Sequence, residues 1–135
     1  MNNKKLGSDF EQELCEILSN HGFWVHPMRQ DNSGQPADII AVKNKVSYLI
    51  DAKVCSLNKF PFKRIEENQD LAMDLWYECG NGMGWFALKL DFGDQIFMIP
   101  HYGMKAYRNA GKTSLSTTDI TEIGMPIEKW VKKCK

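Results

Sequence analysis

Apolar residues recur along the chain with two different periods, and the switches between them mark out the elements. From Ser8 to Asn20, Phe10, Leu14, Ile17 and Leu18 fall on one face at 3.6-residue spacing, which predicts a helix that Gly22 ends. "FWVHPM" predicts a short strand, and "RQDNSGQP" a loop by composition. Pro36 through Val42 then reads as a strand, Lys43-Asn44-Lys45 as a tight turn, and Val46 to about Cys55 as a second strand, so the two make a β-hairpin. "SLNKFPF" is irregular. Lys63 to Cys79 predicts a helix closed by "GNGMG", and "WFALKLDF" with "QIFMIPH" predicts another hairpin around Gly93-Asp94. The tail holds short helices, among them "PIEKWVKKC". The order α-β-β-β-α-β-β-α predicts an α/β domain built on a mixed sheet.

Composition narrows this picture. A chain of 135 residues that is 43% hydrophobic supports a single domain with a real core, spanning residues 1–135. No run approaches the roughly 20 apolar residues that a membrane-spanning helix needs, so a cytoplasmic protein without membrane contact is expected. Four cysteines are scattered without a C-x-x-C pair, which indicates neither a zinc site nor a disulfide framework. Seventeen basic residues balance seventeen acidic ones, which by itself argues against a nucleic-acid partner. The distribution argues otherwise. Lys43, Lys45, Lys53, Lys59, Lys63 and Arg64 stand against one acid, Asp51, whereas residues 66–78 carry five acids and no base. Segregation alone also fits a solvated loop followed by a helix whose Glu66 and Glu67 complement its dipole.

Two aspartates interrupt the first hairpin. Residues two apart on a strand share a face, so Asp51 and Lys53 project together while Ile50, Ala52 and Val54 point the other way. Asp38 begins the neighbouring strand, and a suitable register brings it near Asp51. Like charges close together in a strand are costly unless a cation sits between them, and carboxylates with open positions suit Mg²⁺, for which Mn²⁺ can substitute. Such an ion activates water and neutralises charge on a phosphate, and Lys53 can orient that water, a set suited to phosphodiester hydrolysis. The plain alternative is a strand-entry residue at Asp38 and a half-exposed Asp51–Lys53 ion pair worth under about 1 kcal/mol.

Pro36-Ala37-Asp38 followed by Asp51-Ala52-Lys53 resembles the signature of PD-(D/E)XK nucleases. "NSGQPADIIAV" with "YLIDAKVCS" is similar to the archaeal Holliday junction resolvases, while "FPFKRIEENQDLAMDLW", "GWFALKLDFGDQIFMIP" and "GKTSLSTTDITEIG" resemble RecU-type resolvases; together these cover roughly residues 7–127. The resemblance implies a restriction-endonuclease-like fold, a mixed central β-sheet flanked by helices. It also implies an Mg²⁺-dependent DNA endonuclease acting on four-way or other branched DNA during recombination and repair, as a homodimer. The compact size fits a phage enzyme.

Residue by residue, the resemblance makes Asp38 and Asp51 metal ligands, with the Ala52 carbonyl another, and Lys53 the catalytic lysine. Gly7-Ser8-Asp9-Phe10-Glu11 matches the family's first helix, making Glu11 a third acid. Ser8-x-x-Glu11 is equally a capping box, and Glu13 borders the other edge of the apolar face almost as closely. Gln69 matches a helix glutamine that orients water or a ligand; an ordinary exposed glutamine fits as well. Ser33 is a candidate phosphate donor, and Lys4, Lys5, Arg29, Lys43, Lys45, Lys59, Lys63 and Arg64 are candidates for backbone phosphate contacts. The chain lacks the long stalk that RecU-type enzymes use to grip the centre of a junction; only the short "GFWVHPMRQDNSGQ" lies there. A binding module of the same fold without turnover is the alternative, as is a nuclease of this fold that cuts other branched DNA or plain duplex.

Overall fold

The computed structural model describes residues 3–28, 35, 37–91 and 95–134. Six strands form one mixed sheet in the order β1-β2-β3-β5-β6-β8: β1 (Trp24–Pro27), β2 (Ile39–Lys43), β3 (Val46–Val54), β5 (Trp85–Lys89), β6 (Ile96–Pro100) and β8 (Met125–Pro126). The central β3–β5 pair is parallel and the other pairs are antiparallel. A separate two-stranded ladder joins β4 (Phe60–Pro61) to β7 (Ser114–Leu115).

Helices cover both faces. On one side α1 (Asn3–Asn20) and α5 (Ile127–Lys133) bury Phe10, Leu14, Leu18 and Trp130 against Ile39, Ile50, Ala87 and Met98. On the other, α2 (Glu67–Glu78), α3 (His101–Asn109) and α4 (Thr117–Ile123) lay Met73, Met104 and Ile120 over Leu49, Phe86, Leu88 and Ile99. The three layers make the expected α/β architecture. Among the described residues no helix is long and apolar enough to cross a membrane.

Local chemistry accounts for the boundaries. Asn44 and Lys45 both adopt positive φ, 52° and 71°, which is the two-residue turn that matches strand twist in a hairpin. Gly22, at φ 86°, ends α1 while the Phe23 N–H returns to the Leu18 carbonyl. Three expected boundaries move. The first helix starts at Asn3, so Ser8 lies inside it and the capping-box reading of Ser8 and Glu11 falls away. The hairpin strand starts at Ile39. A 3₁₀ turn, η1 (Phe62–Arg64), precedes α2, whose first turn is built at Glu66–Gln69 and not at Lys63.

Candidate active site

The hairpin register decides which carboxylates meet. Ile39 pairs with Ile50 and Lys43 with Val46, so one step beyond the ladder Asp38 stands opposite Asp51 on the same face. The Asp38 N–H donates to the Ile50 carbonyl at 3.1 Å, one residue out of step with that ladder, so the strand entry is bulged at Asp38. There β2 has not yet begun, and the Asp38 carboxylate takes the place of a missing rung: its Oδ2 accepts the Ala52 N–H at 2.7 Å. A strand residue presents its N–H and C=O to the same side, so the Ala52 carbonyl also faces the Asp38 side.

Alternation along β3 turns Asp51 and Lys53 toward α2 and leaves Ile50, Ala52 and Val54 packed toward α1. Asp51 is fully buried. Its Oδ1 accepts from Gln69 Nε2 at 3.2 Å, and Lys53 Nζ lies 3.3 Å from its Oδ2. That ammonium is within ion-pair distance but outside hydrogen-bonding geometry, so the buried Oδ2 has no hydrogen-bond donor. Burial pushes the Asp51 carboxyl well above its ordinary range; Asp38 adds to the rise and Lys53 opposes it.

Gln69 occupies the first turn of α2, where its Oε1 accepts the Glu66 N–H at 3.1 Å. With the amide oxygen used at the helix N-terminus, the amide nitrogen is the end that faces Asp51. The next residue, Asp70, is gripped from α3 by His101 Nε2 at 2.8 Å and by both terminal nitrogens of Arg108 at 2.9 and 3.3 Å. Burial favours a raised Asp70 carboxyl, but those hydrogen bonds outweigh it and hold the group below its ordinary value. Thus α2 is pinned at two successive residues, one to the sheet and one to α3.

Two adjacent carboxylates, a backbone carbonyl and a buried oxygen without a donor fit a hard divalent cation that keeps much of its water, as Mg²⁺ does. Among the described residues no three His, Cys, Asp or Glu side chains form a metal-holding group. Glu11, expected as a third acid, is therefore not gathered with Asp38 and Asp51. Its helix packs its apolar face on the Ile50–Ala52 side of the sheet, and burial first and Glu11 second raise the pKa of the Cys15 thiol within that helix. The competing candidate, Glu13, is ion-paired with Lys89 at 2.6 Å.

A groove of about 420 Å³ opens beside the acids, lined by Leu6, Gly7, Ala52, Lys53, Lys59 and Arg64. Arg64 is partly structural: Nη1 donates to the Val54 carbonyl at 2.6 Å and the guanidinium stacks 5.6 Å from the Phe60 ring. Lys59 and Lys63 are exposed, Lys63 facing a neighbouring cleft. Lys43 and Lys45 do not border this groove. They sit at the turn, five residues along β2 from Asp38, or about 17 Å at strand rise, and Lys43 lies 5.1 Å over the Phe23 ring. Arg29, Ser33 and Pro36, and the side chain of Lys4, lie outside the described residues; Lys5 is exposed on the first turns of α1. The His101–Asp70–Arg108 clamp and the cations Arg108 and Lys112 escaped the sequence reading, because nothing local to the tail pairs it with α2.

The sequence model of the archaeal Holliday junction resolvase family, Hjc, matches residues 2–135. Among solved structures, Hjc from Archaeoglobus fulgidus, a Holliday junction resolvase from an archaeal hyperthermophile, aligns with a TM-score of 0.71 at 17% identity, covering 93% of this chain and 99% of that one. No curated protein sequence matches. That structural likeness shows the restriction-endonuclease-like fold expected from the sequence.

Proposed function

Because the chain belongs to the archaeal Holliday junction resolvase family, we propose that it cuts four-way DNA junctions by Mg²⁺-assisted phosphodiester hydrolysis, with Mn²⁺ able to substitute. Resolving recombination intermediates is the role this reading assigns it. The observation that carries the chemistry is the buried Asp51 oxygen without a donor, facing Lys53 on a strand whose register sets Asp38 opposite.

Asp38, Asp51 and the Ala52 carbonyl are the groups that would hold the ion. When bound, it would supply charge neutralisation on the phosphate and a more acidic water. Lys53 Nζ, only 15% exposed and ion-paired with Asp51, presents its N–H groups to the groove, where they hold the attacking water or a phosphate oxygen in line. Gln69 fixes the rotation of the Asp51 carboxylate. Lys59 and Arg64 at the groove wall receive the backbone phosphates next to the cut. A four-way junction needs two symmetric cuts, so a homodimer is part of the proposal.

The test uses a synthetic mobile junction, linear duplex and single strand, each with Mg²⁺ or chelator. Paired symmetric nicks in the junction, abolished in Asp38→Asn and Lys53→Ala with folding intact, support the proposal. Tight junction binding without cleavage in Mg²⁺ or Mn²⁺ refutes it in favour of a binding module, and indiscriminate duplex cutting refutes junction selectivity.

A further inference from the structure

A second depression adjoins the catalytic groove. Its open volume is about 590 Å³, and Lys59 and Pro61 belong to both walls, so the two are continuous. Lys59, Lys63, Arg108 and Lys112 are the charged groups that line it, four cations and no acid, with Thr113 and Ser114 supplying polar atoms. In a protein whose formal charge is zero, this concentration is local.

Two of the cations are held from behind. Arg108 is fixed by Asp70, and Lys112 donates to both oxygens of Asp119 at 2.9 and 3.0 Å. Asp119 is itself fixed at the start of α4, where Oδ2 accepts the Ser116 N–H at 3.0 Å. The floor is stiffened by the β4–β7 ladder and by the Phe62 N–H donating to the Thr113 carbonyl at 3.0 Å. A plain solvated face explains lone surface lysines. It does not explain two long side chains whose heads are tied down at the rim of a cleft, beside two others, Lys59 and Lys63, that have no carboxylate partner among the described residues. Fixing the heads removes part of the ordering entropy that an anion would otherwise have to overcome.

We infer that this cleft binds backbone phosphates of the DNA arm leading away from the cut, several contacts beyond the scissile phosphate. The inference rests on the nuclease reading of the adjoining groove, and it adds Arg108 and Lys112, from the opposite end of the chain, to the DNA-binding surface. No metal takes part, so binding there is insensitive to chelator.

The experiment is equilibrium binding of a four-way junction to the full-length protein in chelator, across a salt series, with wild type, Lys63→Gln, and Lys63→Gln/Lys112→Gln. Each phosphate contact contributes a slope of about 0.9 in log affinity against log salt. The expected result is a slope shallower by about 0.9 in the single variant and about 1.8 in the double. Lys129→Gln/Lys132→Gln, on exposed positions of α5 across the sheet, keeps the wild-type slope. Arg108 is left intact because it also clamps Asp70. Unchanged slopes in both cleft variants overturn the inference, as does an equal loss in the α5 variant. Lys63 makes no ion pair among the described residues, so the single variant remains decisive even if the double unfolds. Failure of the nuclease reading is seen separately, as wild-type protein that does not cut the junction in Mg²⁺.

Discussion

Replacing Asp51 by asparagine is expected to stabilise the metal-free protein while removing its response to Mg²⁺. In the wild type a fully buried carboxylate faces a second carboxylate, and one of its oxygens has no donor. An unsatisfied buried polar group costs about 1–3 kcal/mol. Asparagine keeps the shape and the acceptor that Gln69 uses and drops the charge; its amide takes the place of Oδ2, where it can donate to Asp38 but gives up the ion pair with Lys53. With about 2.1 cal/mol/K of unfolding entropy per residue, a chain of 135 residues shifts its Tm by about 3.5 °C per kcal/mol, so the gain is about 4–10 °C in chelator. Mg²⁺ at 100 times its Kd would add about 2.7 kcal/mol, or about 10 °C, to wild type alone. The same replacement changes the pH response. The Asp51 carboxyl titrates above its ordinary 3.8 when folded, so the native state keeps a proton that the unfolded chain has lost. The contribution of Asp51 to stability is therefore fully present below 3.8 and is lost as pH rises through the folded value, and asparagine removes that loss. Thermal unfolding followed by circular dichroism, with and without chelator, measures all three. A variant that melts below wild type in chelator, or that gains as much from Mg²⁺ as wild type does, refutes the reasoning.

Gln69→Leu strands both the Glu66 N–H and Asp51 Oδ1; we expect a loss of about 1–3 kcal/mol in denaturant unfolding together with slower junction cutting at saturating DNA. Asp70→Asn tests the α3 clamp. Asp70 is held below its ordinary value, so its contribution is complete above 3.8 and disappears as pH falls through the lower folded value; wild type and variant should differ in Tm at pH 7 and converge in strong acid, and a constant gap would sink the assignment. Gly124→Ala places a methyl against Ile99 Cδ1 and 2.6 Å from the Ile120 carbonyl oxygen, so a loss of about 1–3 kcal/mol is expected with junction affinity unchanged.

The site's central pair was legible in the sequence because it follows from counting. A two-residue turn at Asn44-Lys45 and strict alternation set Asp38 against Asp51 and put Lys53 on the same side, with no help from distant parts of the chain. Gln69 was legible by resemblance alone, since its burial depends on α2 landing against β3. Glu11 shows the limit: helical periodicity tells which side of α1 is apolar, but not which face of the sheet receives it. Lys43 and Lys45 show the converse. They are near Asp51 in sequence, but the hairpin carries them to its far end. Nothing in residues 101–112 announced that His101 and Arg108 would close on Asp70, because a buried ion pair between helices is a tertiary event.

The Glu66–Gln69 bond gives the Asp51 carboxyl a permanent handedness. With the glutamine amide unable to turn over, Oδ1 always meets a donor and is a poor place for hydrogen to reside. Anything electropositive that arrives, whether a proton or a divalent ion, is directed to Oδ2, the oxygen beside Lys53. If the proposed ion binds there, it and the proton would compete for one atom, and acidification alone is expected to weaken Mg²⁺ binding without unfolding the protein.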